Sequence, residues 1–170
     1  IMSDKPIIQF SDISFQYRSQ EEATLHHINL TINKGETVFI TGPSGSGKST
    51  LGNLINGVIP EEFPGTLSGD LTIAGKHPSE VDLTDLSFEV GTVLQDPDAQ
   101  FVGLTVAEDI AFALENDAQP LSVLHEKVAE WADHLNVKQQ LSKHPQDLSG
   151  GQKQRVALAG VLIDNEPLLM

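Results

Sequence analysis

Residues 42–49 read GPSGSGKS and decide the fold, because they fit the phosphate-loop pattern G-x-x-x-x-G-K-[ST]. Glycines at these spacings let successive backbone N–H groups face one anion, and the helix that follows adds its positive N-terminal end. In this pattern Lys48 reaches the β- and γ-phosphates and the Ser49 hydroxyl ligates Mg²⁺. The residues expected to contact ATP here are Gly42, Ser44, Gly45, Ser46, Gly47, Lys48, Ser49 and Thr50.

The residues on either side of the loop predict a strand before it and a helix after it. Residues 37–41 (TVFIT) form a β-branched apolar run, typical of a strand buried on both faces. The apolar residues at helical spacing after the loop are Leu51, Leu54, Ile55 and Val58. This context favours a phosphate loop over the alternative, a glycine-rich turn between strand and helix that holds no ligand.

A second motif, LSGGQ, occupies residues 148–152. Ser149 lies three residues before Gln152, which is the spacing of a capping box and predicts a helix through Leu162. A serine hydroxyl and the N–H groups of Gly150 and Gly151 at a helix start would form another anion site. One chain has no need for two separate triphosphate sites, so the pair suggests that two copies face each other and share nucleotides.

The remaining patterns predict an α/β fold. Strands are expected at 7–10, 13–17, 28–32, 71–74 and 90–94, and an apolar strand begins at 167–170. A capping-box spacing from Thr105 to Glu108 starts one helix, and another is expected from about Leu121 to Leu135. We therefore expect a P-loop NTPase core with a mostly parallel sheet, an antiparallel N-terminal β subdomain and an inserted α-helical subdomain.

Composition limits the class of protein and its partners. The chain has 170 residues, 39% of them hydrophobic, which fits one globular domain. The net charge of −14 disfavours a nucleic-acid partner and direct adsorption on anionic lipid. There are no cysteines, which excludes disulfides and thiolate metal sites, and no apolar run approaches the ~20 residues that span a bilayer. These features indicate a cytoplasmic location.

Together the two motifs resemble those of ABC-type ATPases, and essentially the whole chain is similar to the first three-quarters of such a domain. On this resemblance residues 2–95 form the nucleotide-binding core with its β part, 96–148 the helical subdomain, and 149–170 the signature helix and the return to the core. The resemblance implies that Gln95 reaches toward Mg²⁺ and the attacking water, and that Tyr17 stacks on adenine. An ordinary strand aromatic remains the alternative for Tyr17.

The resemblance also implies a second ATPase domain, identical, homologous or fused. The two domains would close head-to-tail over two nucleotides, with Lys48 and Ser49 on one side of each. The other side would be formed by the signature residues of the partner domain, which correspond to Ser149, Gly150, Gly151 and Gln152.

A narrower resemblance links residues 95–103 (QDPDAQFVG) and 105–112 (TVAEDIAF) to energy-coupling factor transporters, which import vitamins or transition-metal ions. It implies that a transmembrane subunit docks near 95–103 and holds the protein at the cytoplasmic face of the membrane. Residues 59–65 resemble members in which two ATPase domains are fused. Two other functions stay open: a soluble ABC ATPase that remodels another assembly, and a non-catalytic ATP-binding regulatory module.

In the family the next strand ends in Asp-Glu, which orients Mg²⁺ and polarises the hydrolytic water, and a histidine farther on contacts the γ-phosphate. None of these is found in residues 1–170. Asp164 and Glu166 precede the final apolar run instead of following it. We therefore expect a chain truncated before this acidic strand, and a fragment that does not hydrolyse ATP.

Overall fold

A computed structural model describes residues 6–115, 120–164 and 167–170. Residues 2–5 of the expected domain, Glu166 and the side chain of Asp164 lie outside this description. The chain divides into two compact units, one running to Val90 and including Met170, and the other Gly91–Leu169. Each unit is described by itself below.

The first unit is built on a three-stranded antiparallel sheet. Its strands are β1 (Pro6–Tyr17), β2 (Leu25–Asn33) and β3 (Gly65–Ile73), in the order β2-β1-β3. The short helices α1 (Lys48–Ile55), α2 (Val58–Glu61) and α3 (Leu83–Ser87) belong to the same unit. Its buried apolar side chains include Ile8, Phe10, Ile13, Phe15, Leu25, Ile32, Leu54, Ile59, Leu71 and Ile73.

The second unit is mostly helical. It contains α4 (Val106–Leu114), α5 (Leu121–His134) and α6 (Gly150–Asp164), with 3₁₀ turns at Pro97–Gln100, Lys138–Gln140 and Pro145–Asp147. Helix α4 packs against both α5 and α6. Their core consists of Val106, Ile110, Leu114, Val128, Ala132, Leu135, Val137, Leu148, Val156 and Ala159. No helix of the described ranges is long and apolar enough to cross a membrane.

Strand β4 (Val90–Gly91), at the boundary of the units, pairs with β5 (Leu168–Leu169) in a second sheet. With an antiparallel and a parallel sheet among helices, the predicted α/β class is confirmed. The two strands expected at 7–10 and 13–17 are one strand, β1, whose register with both neighbours shifts near Asp12. The helices expected after Thr105, Pro120 and Ser149 are present.

The strand expected at residues 37–41 is not formed. None of the five described strands pairs with this run, and the Phe39 side chain is 89% exposed. A strand needs partners for its backbone N–H and C=O groups, which an apolar sequence does not supply by itself. Just before the run, Asn33 donates hydrogen bonds to the Glu36 carboxylate, which lowers the pKa of that carboxyl below its ordinary value.

Helix α1 is also shorter than predicted, since it ends at Ile55 and not at Val58. Asn56 donates its backbone N–H to the Gly52 carbonyl, and Gly57 then turns left-handed at φ 81°. A glycine in this conformation ends a helix because it accepts a positive φ without steric cost.

Two glycines with similar backbone angles provide a test of the sheet. Gly69 in β3 has φ 90°, and an added Cβ would collide with the carbonyl oxygens of Asp12 and Ser11. Gly75 has φ 78°, but a Cβ there would meet nothing within 4 Å. We expect Gly75→Ala to lower the free energy of unfolding by about 1 kcal/mol through strain alone, and Gly69→Ala by about 3 kcal/mol. Urea denaturation of both variants measures this difference, and equal losses would contradict the register of β1 and β3.

Candidate functional site

The backbone of the phosphate loop is shaped by two left-handed glycines. Gly45 has φ 78° and Gly47 has φ 92°, and the Ser46 N–H donates to the Pro43 carbonyl at 3.2 Å. A Cβ at Gly47 would lie 2.9 Å from the Leu25 side chain, so glycine suits this position for two reasons. The loop is exposed from Gly42 to Ser46.

Helix α1 begins directly after this loop, and its N-terminus carries no side-chain cap. Gly47 is the N-cap residue and has no side chain that could accept a hydrogen bond from the first turn. The first-turn N–H groups of a helix need an acceptor, and together with the helix dipole they favour an anion. The geometry therefore fits a phosphate group, as the sequence predicts.

The Lys48 ammonium folds back over the loop. Its Nζ donates to the carbonyl oxygens of Gly42 and Pro43, both at 2.7 Å, and to Ser46 Oγ at 3.3 Å. An ammonium has three donors, and all three are used here. A chain with net charge −14 thus holds a cation directly against the predicted phosphate site.

The end of β1 is connected to α1 by a side-chain hydrogen bond. The Tyr17 hydroxyl lies 2.7 Å from Oγ1 of Thr50, which is buried, while the neighbouring Ser49 is exposed. The Tyr17 ring meets Phe15 and Phe63 edge-on, with centroids 4.9 and 6.3 Å away. The structure thus brings Tyr17 next to the phosphate-loop helix, and its stacking on adenine stays a prediction.

At the phosphate loop, Mg²⁺ would have to be bound by oxygen atoms that do not come from a cluster of carboxylates. Across the described ranges no group of three or more His, Asp or Glu residues could hold a metal ion. Mg²⁺ prefers oxygen ligands and usually combines one or two protein ligands with waters and substrate phosphates. An exposed Ser49 hydroxyl at the start of α1 fits such a set.

Gln95 belongs to the second unit and is exposed. The residues before it do not continue β4 as predicted, because the Gln100 side chain takes the place of a strand partner. Gln100 Oε1 accepts the Leu94 N–H at 2.9 Å, and Gln100 Nε2 donates to the Thr92 carbonyl at 3.2 Å. No pattern in the sequence singles out Gln100, because the turn signal Asp96-Pro97 marks the bend but does not show which backbone groups need a partner.

The signature motif starts α6 with a complete capping box. Ser149 Oγ accepts the Gln152 N–H at 3.3 Å, and Gln152 Oε1 accepts the Ser149 N–H at 3.1 Å. A Cβ added to Gly150 or Gly151 would meet nothing within 4 Å. The exposed glycine surface beside this cap therefore has room for a ligand or another chain.

The segment after Gln95 presents apolar side chains to solvent. Val102, Leu104 and Phe112 are 65, 72 and 60% exposed. The backbone at Val102 and Gly103 is held by α4, because Asp109 Oδ1 accepts their N–H groups at 2.8 and 2.9 Å. Apolar residues held in this way form a surface suited to a protein partner.

The capping box predicted from Thr105 to Glu108 is only half formed. Thr105 Oγ1 accepts the Glu108 N–H at 3.2 Å, as expected. The Glu108 carboxylate accepts the N–H of Leu104 and not that of Thr105. It therefore holds the segment before the cap instead of closing the box.

Known proteins are similar to this chain in sequence, and a solved structure is similar to it in fold. Residues 25–170 match the family described as ABC transporter. An ABC transporter ATP-binding protein of Lactobacillus johnsonii is 55% identical over 98% of this chain and 29% of its own length. Proteins of the same description from Lactiplantibacillus plantarum and Enterococcus faecalis are both 58% identical over 29% of their lengths. The chain thus spans less than a third of these relatives.

Among solved structures, cbiO1 from Clostridium perfringens, described as part of the ABC transporter complex cbiONQ, superposes with a TM-score of 0.79 at 30% identity. The match covers 96% of this chain and 64% of cbiO1. The family match over most of the chain agrees with the phosphate loop and the capped signature helix. The chain belongs to the ABC transporter family.

Proposed function

We propose that the protein containing this chain hydrolyses ATP to drive a membrane importer for a vitamin or a transition-metal ion. The uncapped N-terminus of α1 with the Lys48 ammonium against it is the observation that carries the nucleotide site. The likeness to cbiO1, a component of a transporter complex, supports the importer. Because the chain is a small part of its relatives, this function is proposed for the whole protein.

In this proposal the phosphate loop binds ATP and Mg²⁺ with separate groups. The N–H groups of residues 44–50 and Lys48 hold the β- and γ-phosphates, so the ammonium exchanges carbonyl partners for phosphate oxygens. Ser49 and Gln95 offer oxygen atoms to Mg²⁺, which neutralises charge that develops on the transferred phosphoryl group. Tyr17 contacts the base while its hydroxyl stays near Thr50.

A second ATPase domain would complete the site. The exposed Gly150 and Gly151 leave open space at the start of α6, and an approaching triphosphate would meet their N–H groups and the Ser149 hydroxyl. Closure of two domains over the nucleotides would then move the helical subdomain and drive transport.

The membrane partner would dock on the exposed apolar segment near 95–103. Val102 lies in that segment, and exposed apolar side chains continue with Leu104 before α4 and Phe112 on α4. A transmembrane subunit that covers these side chains would place the protein at the cytoplasmic face of the membrane. The charge of −14 argues against nucleic acid as the partner.

The polypeptide 1–170 by itself is proposed to be inactive in hydrolysis. The resemblance requires a water-activating carboxylate after an apolar strand, and no carboxylate follows β5 in these residues. Loss of that group removes the positioning on which phosphoryl transfer depends. Multiple turnover by the pure polypeptide, abolished by Lys48→Ala, would contradict this.

Replacing Lys48 by alanine tests the nucleotide site. We expect Lys48→Ala to weaken ATP binding at this site about 100-fold, because charge-assisted hydrogen bonds to two phosphates are lost. Equilibrium binding of labelled ATP to the full-length protein measures the effect. The control is Lys34→Ala, which removes an exposed lysine in the turn after β2 and should leave affinity unchanged. Equal affinities in all three proteins would remove the phosphate loop from the proposal.

Two replacements of Ser149 test the shared site. Ser149→Arg should leave ATP affinity unchanged but block closure of the two domains, and therefore abolish ATP-driven uptake. Ser149→Asp keeps an N-cap for α6, so the helix stays stable, yet its charge repels the triphosphate of the opposite domain. The measurement is ATP-driven uptake of the transported vitamin or metal ion by membrane vesicles that carry the ATPase together with its transmembrane subunit. Normal uptake with either variant would exclude Ser149 from the mechanism.

A further inference from the structure

The nine residues 92–100 form a turn that is fixed by side chains at three points. Gln100 bonds to the backbone of Thr92 and Leu94, as described above. Asp96 Oδ1 accepts the Asp98 N–H at 3.1 Å, and the Asp96 carbonyl accepts the Ala99 N–H at 3.2 Å. Gln95 is therefore flanked on both sides by residues whose backbones are held in place.

The same turn is attached to the signature helix. Lys153 Nζ lies 2.9 Å from Oδ1 and 3.1 Å from Oδ2 of Asp98, and the lysine side chain is only 18% exposed. An ion pair with both carboxylate oxygens engaged and one partner largely buried is stronger than an ordinary surface pair. Asp98 thus attaches the turn to α6, while Gln100 reaches back to Thr92 and Leu94, which follow β4.

Gln100 has the chemistry that this position needs. Its amide offers a donor and an acceptor at once, so it satisfies the Leu94 N–H and the Thr92 carbonyl in the way a neighbouring strand would. A glutamate could accept but could not donate. Without the amide, Leu94 would lose the acceptor of its N–H, and the Thr92 carbonyl would lose this donor.

From this arrangement we propose that Gln100 is a positioning residue that orients Gln95 for its contact with Mg²⁺. Gln100 itself touches neither metal nor nucleotide in this role. It holds the backbone at Leu94, one residue before Gln95, so that the Gln95 side chain starts from a fixed point. The inference rests on the proposed role of Gln95 and adds the residue on which that role depends.

The first measurement is amide hydrogen exchange at Leu94 in the full-length protein. Gln100→Ala removes the acceptor of this N–H, so its exchange should become about tenfold faster. Gln100→Glu keeps the acceptor and should preserve the protection. Gln95→Ala and the exposed Gln139→Ala serve as controls and should also preserve it. Unchanged exchange in Gln100→Ala would overturn the inference.

The second measurement is the factor by which Mg²⁺ raises the affinity for ATP at the phosphate loop. ATP bound at this loop is identified as the binding that Lys48→Ala removes. Gln95→Ala and Gln100→Ala should each reduce this increase about tenfold, with affinity for metal-free ATP unchanged. In the double variant the Mg²⁺-dependent increase in ATP affinity should be no smaller than in Gln95→Ala, because Gln100 acts through Gln95. Gln139→Ala should match the unsubstituted protein.

The outcomes separate the proposed metal contact of Gln95 from the positioning role of Gln100. If Gln95→Ala lowers the Mg²⁺ effect and Gln100→Ala does not, the positioning role fails while the role of Gln95 stands. If the two losses add in the double variant, Gln100 acts independently and the inference is again overturned. If Gln95→Ala leaves the Mg²⁺ effect intact, the proposed metal contact of Gln95 fails, and the positioning role fails with it.

Discussion

The uncapped N-terminus of α1 is the constraint on which the nucleotide site depends. A helix start has N–H groups without partners, and most proteins satisfy them with a side chain. Here Gly47 supplies none, and its left-handed backbone aims the loop so that Lys48 lies against the carbonyls of Gly42 and Pro43. The helix start therefore has no side-chain cap, and in the proposed function a bound phosphate would offset the cost of leaving it uncapped.

The antiparallel sheet supplies two residues that contact the start of α1. Leu25 at the start of β2 lies against Gly47, and Tyr17 at the end of β1 bonds to Thr50 in the first turn. Both contacts approach α1 from strands that are paired along their length. The loop is therefore held by the sheet even though residues 37–41, which precede it, form no strand.

The starts of α1 and α6 were predicted well from patterns that are local in sequence, while pairing between distant residues was not. The α1 start and the cap of α6 depend on residues within four positions of each other, as in the bonds between Ser149 and Gln152. An apolar run such as 37–41 shows that a segment suits a strand but not whether partners lie beside it. The bonds of Gln100 to residues 92–94 were missed for the same reason, since they replace a strand that periodicity predicted. The contacts of the site residues with ATP, Mg²⁺ and partner chains remain predictions.

The cap of α6 explains how one serine can stabilise a helix and still serve a ligand. Ser149 Oγ accepts the Gln152 N–H through a lone pair, so the hydroxyl proton is not used by the cap. In the reciprocal bond the Ser149 N–H donates to Gln152 Oε1, so this bond does not use the hydroxyl proton either. With exposed glycines next to it, the hydroxyl can donate to an anion that arrives from outside the chain. Helix stability and the proposed recognition of a partner's nucleotide therefore use different atoms of the same side chain.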